Sequence, residues 1–201
     1  NLSKWGVVFS ARYTFSKEKI LFYTSFDNDR GVLISSPVNV SLTQQIGIYT
    51  SYSKRFWNTW EPTFELSYNK PLVRYQDIYY TKPSWTMAMK NRFYLPYGIN
   101  VNFNGIWVSE GSRGLETGGA YSKIDIKANK SFFENSLRIS IGVEDILQQL
   151  GTWSEKRSTD FVLKLLPTPD SKKFTISLRY YFNQKKSRYK GIQSTDEIKR
   201  L

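Results

Sequence analysis

From Lys173 to Phe182 the chain alternates. Phe174, Ile176, Leu178, Tyr180 and Phe182 fall on one side, and Lys173, Thr175, Ser177, Arg179 and Tyr181 on the other. Successive side chains of a β-strand point to opposite faces, so a period of two specifies a strand with one apolar and one polar face. An apolar face ending in an aromatic pair suits a membrane barrel strand, whose outer side meets lipid and whose ends carry an aromatic girdle. A sandwich strand alternates in the same way, so this stretch by itself leaves both architectures open.

The pattern recurs upstream. Trp5, Val7, Phe9, Ala11, Tyr13 and Phe15 alternate with polar residues, interrupted only by Val8. Ser16-Lys17-Glu18 reads as a tight turn, Ile20 to Phe26 as a weaker strand apolar on both faces, and Asp27 to about Leu42 as a long polar loop carrying Asn28, Gly31 and Pro37. Alternating strands follow from Ile46 to Phe56, Trp60 to Asn69, Trp85 to Leu95, Ile99 to Trp107, Lys123 to Phe132 and Leu137 to Val143. Tight turns fall at Phe56 to Trp60, Pro96 to Gly98 and Phe133 to Asn135. Long connections run from Lys70 to Lys82, from Ser109 to Gly119 and from Leu147 onward.

Two regularities favour the membrane barrel. Short and long connections alternate, as periplasmic turns and outer loops do in outer-membrane barrels. The strands run to about ten to fourteen residues, near the 9–11 that cross a bilayer at a tilt and beyond the five or six usual in soluble sheets. Trp57, Trp60, Tyr94, Tyr97, Phe132 and Phe133 crowd the tight turns, where one interfacial girdle belongs. Arg92, Lys127 or Arg179 would cost roughly 2–4 kcal/mol each at the lipid midplane. The apolar faces therefore meet lipid, and the Asn, Ser, Lys and Arg faces line an interior that is wet or filled by protein.

Composition narrows the function. The 201 residues contain no Cys and no His, which removes disulfides, thiolate metal sites, His-built zinc sites and Ser-His-Asp triads from this chain, so no metal or cofactor is expected and an enzyme is disfavoured. No run approaches the roughly 18 apolar residues of a membrane helix, and a mean hydropathy of −0.48 is compatible with barrel strands that are half polar. The net charge of +12 is spread over strands, loops and tail without a nucleic-acid motif, so a basic lumen and a basic tail are expected rather than a nucleic-acid partner.

Parity gives a strand count. If the last strand returns to the periplasm, Phe161 to Leu166 is part of an outer-loop ribbon with Pro167 and Pro169 near its tip. About nine crossings remain, whereas single-chain barrels use even numbers. The expected fold is thus all-β, an antiparallel transmembrane barrel of which residues 1–184 supply the C-terminal nine or ten strands of a larger one. Residues 185–201 would form a basic periplasmic tail (Lys185, Lys186, Arg188, Lys190), with capping-box spacing from Ser194 to Glu197. Counting Phe161 to Leu166 as a crossing gives instead a self-contained ten-strand barrel with its tail on the wrong side.

Lys130-Ser131-Phe132-Phe133, Val143-Glu144-Asp145-Ile146-Leu147 and Ser177-Leu178-Arg179-Tyr180-Tyr181-Phe182, in that order and followed by a basic extension, resemble the C-terminal end of TonB-dependent-receptor-like outer-membrane β-barrel proteins of the Bacteroidetes type. The resemblance is strongest over Tyr121 to Gly191. It implies a 22-stranded barrel, a plug domain in the lumen, energy supplied through TonB, and import of a nutrient or metal chelate. Two departures stand out: the final strand does not end the chain, and neither plug nor TonB box lies within these residues. Outer-membrane lipid, lipopolysaccharide and a surface lipoprotein are further expected partners. A non-transporting structural or partner-binding subunit is the alternative, and a soluble glycan-binding sandwich is a third reading.

Ligand candidates lie on the long connections. Arg74, Tyr75, Tyr79 and Tyr80, with Arg113 and Trp153 on neighbouring loops, combine apolar area with polar tips and suit capture of a solute or partner. Self-packing of the loops or lipopolysaccharide contact would use the same residues. Glu144-Asp145 at a strand end reads as a loop-entry ladder or calcium-tolerant rim rather than a catalytic dyad. Gly111, Gly114, Gly118 and Gly119 lack the spacing of a phosphate cradle.

Overall fold

The computed structural model describes residues 6–159 and 161–182. Trp5 and the basic tail lie outside the described residues. In chain order the strands are β1 (Val7–Asp27), β2 (Val32–Ser53), β3 (Trp60–Tyr75), β4 (Ile78–Tyr80), β5 (Ser84–Leu95), β6 (Ile99–Val108), β7 (Gly111–Arg113), β8 (Glu116–Gly118), β9 (Tyr121–Phe132), β10 (Leu137–Glu144), β11 (Ser154–Arg157), β12 (Val162–Leu165) and β13 (Lys173–Tyr180). Eight of them form an antiparallel meander in the order β1-β2-β3-β5-β6-β9-β10-β13, with β4 added to the outer end of β3. The excursions after β6 and β10 build a second sheet, β12-β11-β8-β7.

The register places the faces as the alternation requires. Glu61, Glu65, Lys90, Arg92, Asn102, Asn104, Lys127, Ser140, Ser177 and Arg179 share one side of the meander, and Phe64, Leu66, Met87, Met89, Trp107, Ile126, Ile141 and Ile176 the other. Among the described residues no second layer covers the apolar side. Phe174, Ile176 and Leu178 are 63%, 65% and 68% exposed, which a sandwich core would not allow. A contiguous apolar face of this size is stable only against hydrocarbon or a partner.

The Ser16-Lys17-Glu18 turn is not there. β1 runs through it for 21 residues, paired with β2 from Val7↔Tyr52 to Asp27↔Val32. What the sequence registers at this point is a change of face. Glu18 adopts a left-handed backbone (φ 52), and the register is unchanged on either side of it, Lys17↔Leu42 and Lys19↔Val40. In β2, Val40 packs with Val73, whose register partner is Thr43. Residues three apart in a regular strand face opposite ways, so β2 changes face at the same height. The polar segment from Asp27 to Leu42 is therefore the return arm of a hairpin turning at Asp27 to Gly31. The count of nine crossings becomes eight.

The remaining expectations sort by end. Phe161 to Leu166 contributes β12, a ribbon partner of β11 and not a crossing, although the ribbon turns at Ser158 to Phe161 rather than at Pro167 and Pro169. Lys70 to Lys82 is a continuation of β3 hairpinned onto β4, with Gln76 (φ 53) in the turn. At the short-turn end, left-handed pairs carry the reversals: Trp57 and Asn58, Tyr97 and Gly98, Phe133 and Glu134. Such pairs match the twist of antiparallel strands. Phe56, Trp60 and Phe93 stack on the apolar face at 5.3 and 6.3 Å, giving the girdle its core. Tyr94 departs from it: on the polar face, its hydroxyl donates to Glu61 at 3.0 Å.

Among the described residues β1 and β13 pair on one side only, so the sheet is open. The opposite ends of the strand order nevertheless meet above it. Tyr23 of β1 bonds Ser158 after β11 at 2.7 Å, and Leu115 after β7 packs on Tyr23, Val40, Val73 and Tyr80. Val73 faces the polar side, so the sheet curls toward that side, and the outer sheet leans over it.

Candidate functional site

The outer ends of β1 to β3, β4 and the β7-β8-β11-β12 sheet form one packed module. Its core is Tyr23, Val40, Val73, Tyr80 and Leu115, flanked by Leu21, Val38, Tyr75 and Ile78. This core explains the strand that looked apolar on both faces. Above Glu18 one side of the ribbon packs inward, while Ile20 and Phe22 remain exposed. The outer loops are therefore a folded structure.

The six candidate residues do not share one site. Tyr80 is buried in the core and its hydroxyl donates to the Arg157 carbonyl at 3.0 Å. Tyr75 packs on Tyr23, with ring centroids 4.9 Å apart. These two hold the module together, so for them the self-packing reading describes the contacts. Arg74 pairs with Asp77 at 3.1 Å and lies 5.3 Å from the ring centre of Tyr79, which is 65% exposed. The Arg113 guanidinium lies against Gly118 and 5.6 Å from the Tyr121 ring centre. Trp153 carries Lys164 over its ring at 4.3 Å.

Three cavities result. Arg74, Tyr75 and Tyr79 line one of about 650 Å³ with Asn39, Gln44 and Leu72. Tyr79, Tyr80 and Trp153 come together in a second, of about 540 Å³, with Lys82, Glu110, Glu155 and Arg157. Arg113 lines a third, about 230 Å³, beside Tyr23 and Leu115. The second is the most polar: Lys82 pairs with Glu110, and Arg157 with Glu155 at 2.7 Å. Its charged residues were invisible as a group in the sequence, because they come from three separate segments with no shared spacing. Among the described residues no cluster of three or more acidic metal ligands forms.

Two features of this module can be tested directly. Burial, with Tyr23 close by, pushes the Tyr80 phenol up to about 12. The folded state then holds this proton more tightly than the unfolded chain, whose tyrosines titrate near 10. The contribution is complete below pH 10 and is lost as pH rises through about 12. Absorbance titration at 295 nm should show one late tyrosine, and Tyr80→Phe should remove that step. Separately, a Cβ on Gly119 would sit 2.5 Å from Trp153 Nε1, so Gly119→Ala should displace the indole and red-shift its emission.

Among the described residues Asp145 is the one fully buried carboxylate, with no exposed surface. It accepts from the Gln149 and Leu150 amides at 3.3 Å each and from the Ser171 hydroxyl. Its own amide donates to Asp125 at 2.9 Å. One side chain thus ties the start and the end of the outer excursion between β10 and β13. The loop-entry reading of Glu144-Asp145 accounts for these contacts.

The apolar exposed face, the short-turn girdle and the folded outer module together describe a barrel wall. The model of the outer membrane protein beta-barrel family matches residues 2–187. No curated protein matches the chain significantly, and no solved structure does. The chain belongs to the outer membrane protein beta-barrel family, and its place is the bacterial outer membrane.

Proposed function

We propose that this barrel wall belongs to a TonB-dependent receptor that imports a nutrient or metal chelate, with outer cavities capturing the solute and a plug domain occupying the lumen. The observation that supports this most is the state of the polar face. Its long side chains stay solvated, with Lys90 59% and Arg92 55% exposed at the side chain, and every ion pair on it joins neighbours on the same or adjacent strands. An eight-stranded closed barrel has an interior just wide enough for its own side chains to fill. An unfilled polar face with two edges unpaired among the described residues fits an arc of a wider barrel instead, since unpaired backbone groups in lipid cost several kcal/mol each. Residues 185–201 would then extend into the periplasm beside anionic headgroups. Arg74, Tyr79 and Arg113 are the exposed residues offered to ligand or lipopolysaccharide, with Trp153 half-buried beside them.

The alternative is a structural or partner-binding barrel, and the packed outer module favours it to the extent that Tyr75 and Tyr80 are committed to the core. Titrating the full-length protein from outer membranes with the periplasmic domain of TonB separates the two. A receptor gives saturable binding. No binding at any concentration supports the structural subunit.

A further inference from the structure

The polar face is unevenly charged. Glu61, Glu65, Asp125 and Glu144 each lie within 4.0 Å of Arg92, Lys90 or Lys123. Toward the short-turn end, on β9, β10 and β13, the balance reverses. Arg138 and Arg179 are direct register partners on adjacent strands. Like charges placed directly opposite on a sheet destabilise it. Neither arginine has a carboxylate within ion-pair distance among the described residues; Arg179 donates only to the Tyr181 hydroxyl, at 3.4 Å.

Lys127 approaches the same place from above. Its register partner is Gly142, and the Lys127 stem runs past that glycine at about 3.5 Å from where a side chain would begin. Across Gly142 stands Thr175, whose hydroxyl oxygen is buried and has no hydrogen-bond partner among the described residues. Between the arginine row and the Lys127 row lies the facing pair Ser140 and Ser177. Inner-face rows on a strand are spaced about 6.8 Å apart, so long side chains from the row on either side can converge over the serines.

We propose that Arg138, Arg179 and Lys127, with the Ser177 and Thr175 hydroxyls, form a lumen site for a small multivalent oxyanion, the phosphate or carboxylate group of a solute in the barrel. Planar guanidinium groups match such anions bidentately, and the ammonium supplies the third charge. The chain's own tail is a poor occupant, because Lys185, Lys186, Arg188 and Lys190 repeat the sign of the site. The site depends on the polar face being the lumen face, which the Leu66 and Ser67 substitutions below test separately.

The probe is sodium pyrophosphate, titrated into the full-length protein in detergent against sodium chloride at matched ionic strength. Wild type should show a saturable upward shift of its unfolding midpoint. Arg138→Gln/Arg179→Gln should lose the shift while matching or exceeding the wild-type midpoint without probe, because the facing charges are gone. Arg12→Gln, on β1 and away from the patch, should keep the wild-type response. A shift that follows ionic strength alone, or that survives in the double variant, overturns the site. A probe-insensitive wild type whose double variant is destabilised also overturns it and assigns the patch to an acidic protein segment.

Discussion

Asp145→Ala should destabilise the protein by about 2–4 kcal/mol, the largest loss expected from any single polar side chain here. Hydrogen bonds to a charged group are each worth about 1.5–3 kcal/mol, and donors stranded in a buried site add their own desolvation penalty. The substitution strands the Gln149 and Leu150 amides and the Ser171 hydroxyl together. Asp145→Asn keeps an acceptor but loses the charge, and should cost about half as much. The damage should be local first, because the bonds fasten both ends of the excursion that carries β11 and β12. Limited proteolysis of the variant should cut between Ile146 and Lys172 before the meander opens, and urea unfolding should then report the lower midpoint. A variant as resistant as wild type would mean that β11 and β12 are held by the pairing of β11 to β8 and the Tyr23 and Tyr80 contacts, without Asp145.

The second large effect comes from one strand and two neighbouring positions. Leu66→Arg should cost roughly 2–4 kcal/mol near the bilayer midplane, while Ser67→Arg should change stability by no more than about 0.5 kcal/mol. The two residues are consecutive on β3, at one height, and face opposite ways. Leu66 lies between Thr50 and Met87 on the apolar side; Ser67 lies between Tyr49 and Thr86 and next along the face from Glu65. Folding into lipid vesicles, followed by the heat-modifiable mobility of folded barrels on gels, reads both variants. Equal costs at the two positions would contradict the assignment of faces.

These contrasts show which parts of the architecture local sequence encodes. From Ile46 onward, side-chain alternation is a local property, so strand faces, tight turns and the parity of connections could be read residue by residue. At Glu18 the alternation breaks as it does at a turn, but a left-handed residue inside a ribbon breaks it in the same way. Only the facing break in β2 tells the two apart, and that partner is set by long-range pairing. The outer module was hidden for a related reason. Leu115, Tyr23 and Tyr80 are far apart in sequence, and no period connects residues that meet only when the sheet curls. Hence Tyr75 and Tyr80 looked like a ligand surface, whereas Tyr80 lies in the core and Tyr75 packs against it. The Glu144-Asp145 pair was legible as a strand end, but nothing local revealed that Asp145 would also reach Ser171.

Hydrocarbon touches one face of every meander strand, and the lumen touches the other. The 201 residues contain no cysteine, so single cysteines introduced from Lys173 to Tyr180 can carry a spin label with no competing thiol in this chain. In lipid vesicles accessibility should show a strict period of two: labels at Phe174, Ile176, Leu178 and Tyr180 collide with dissolved oxygen, and those at Lys173, Thr175, Ser177 and Arg179 with a water-soluble nickel chelate. A flat profile, or water access at the even-numbered positions, would contradict it.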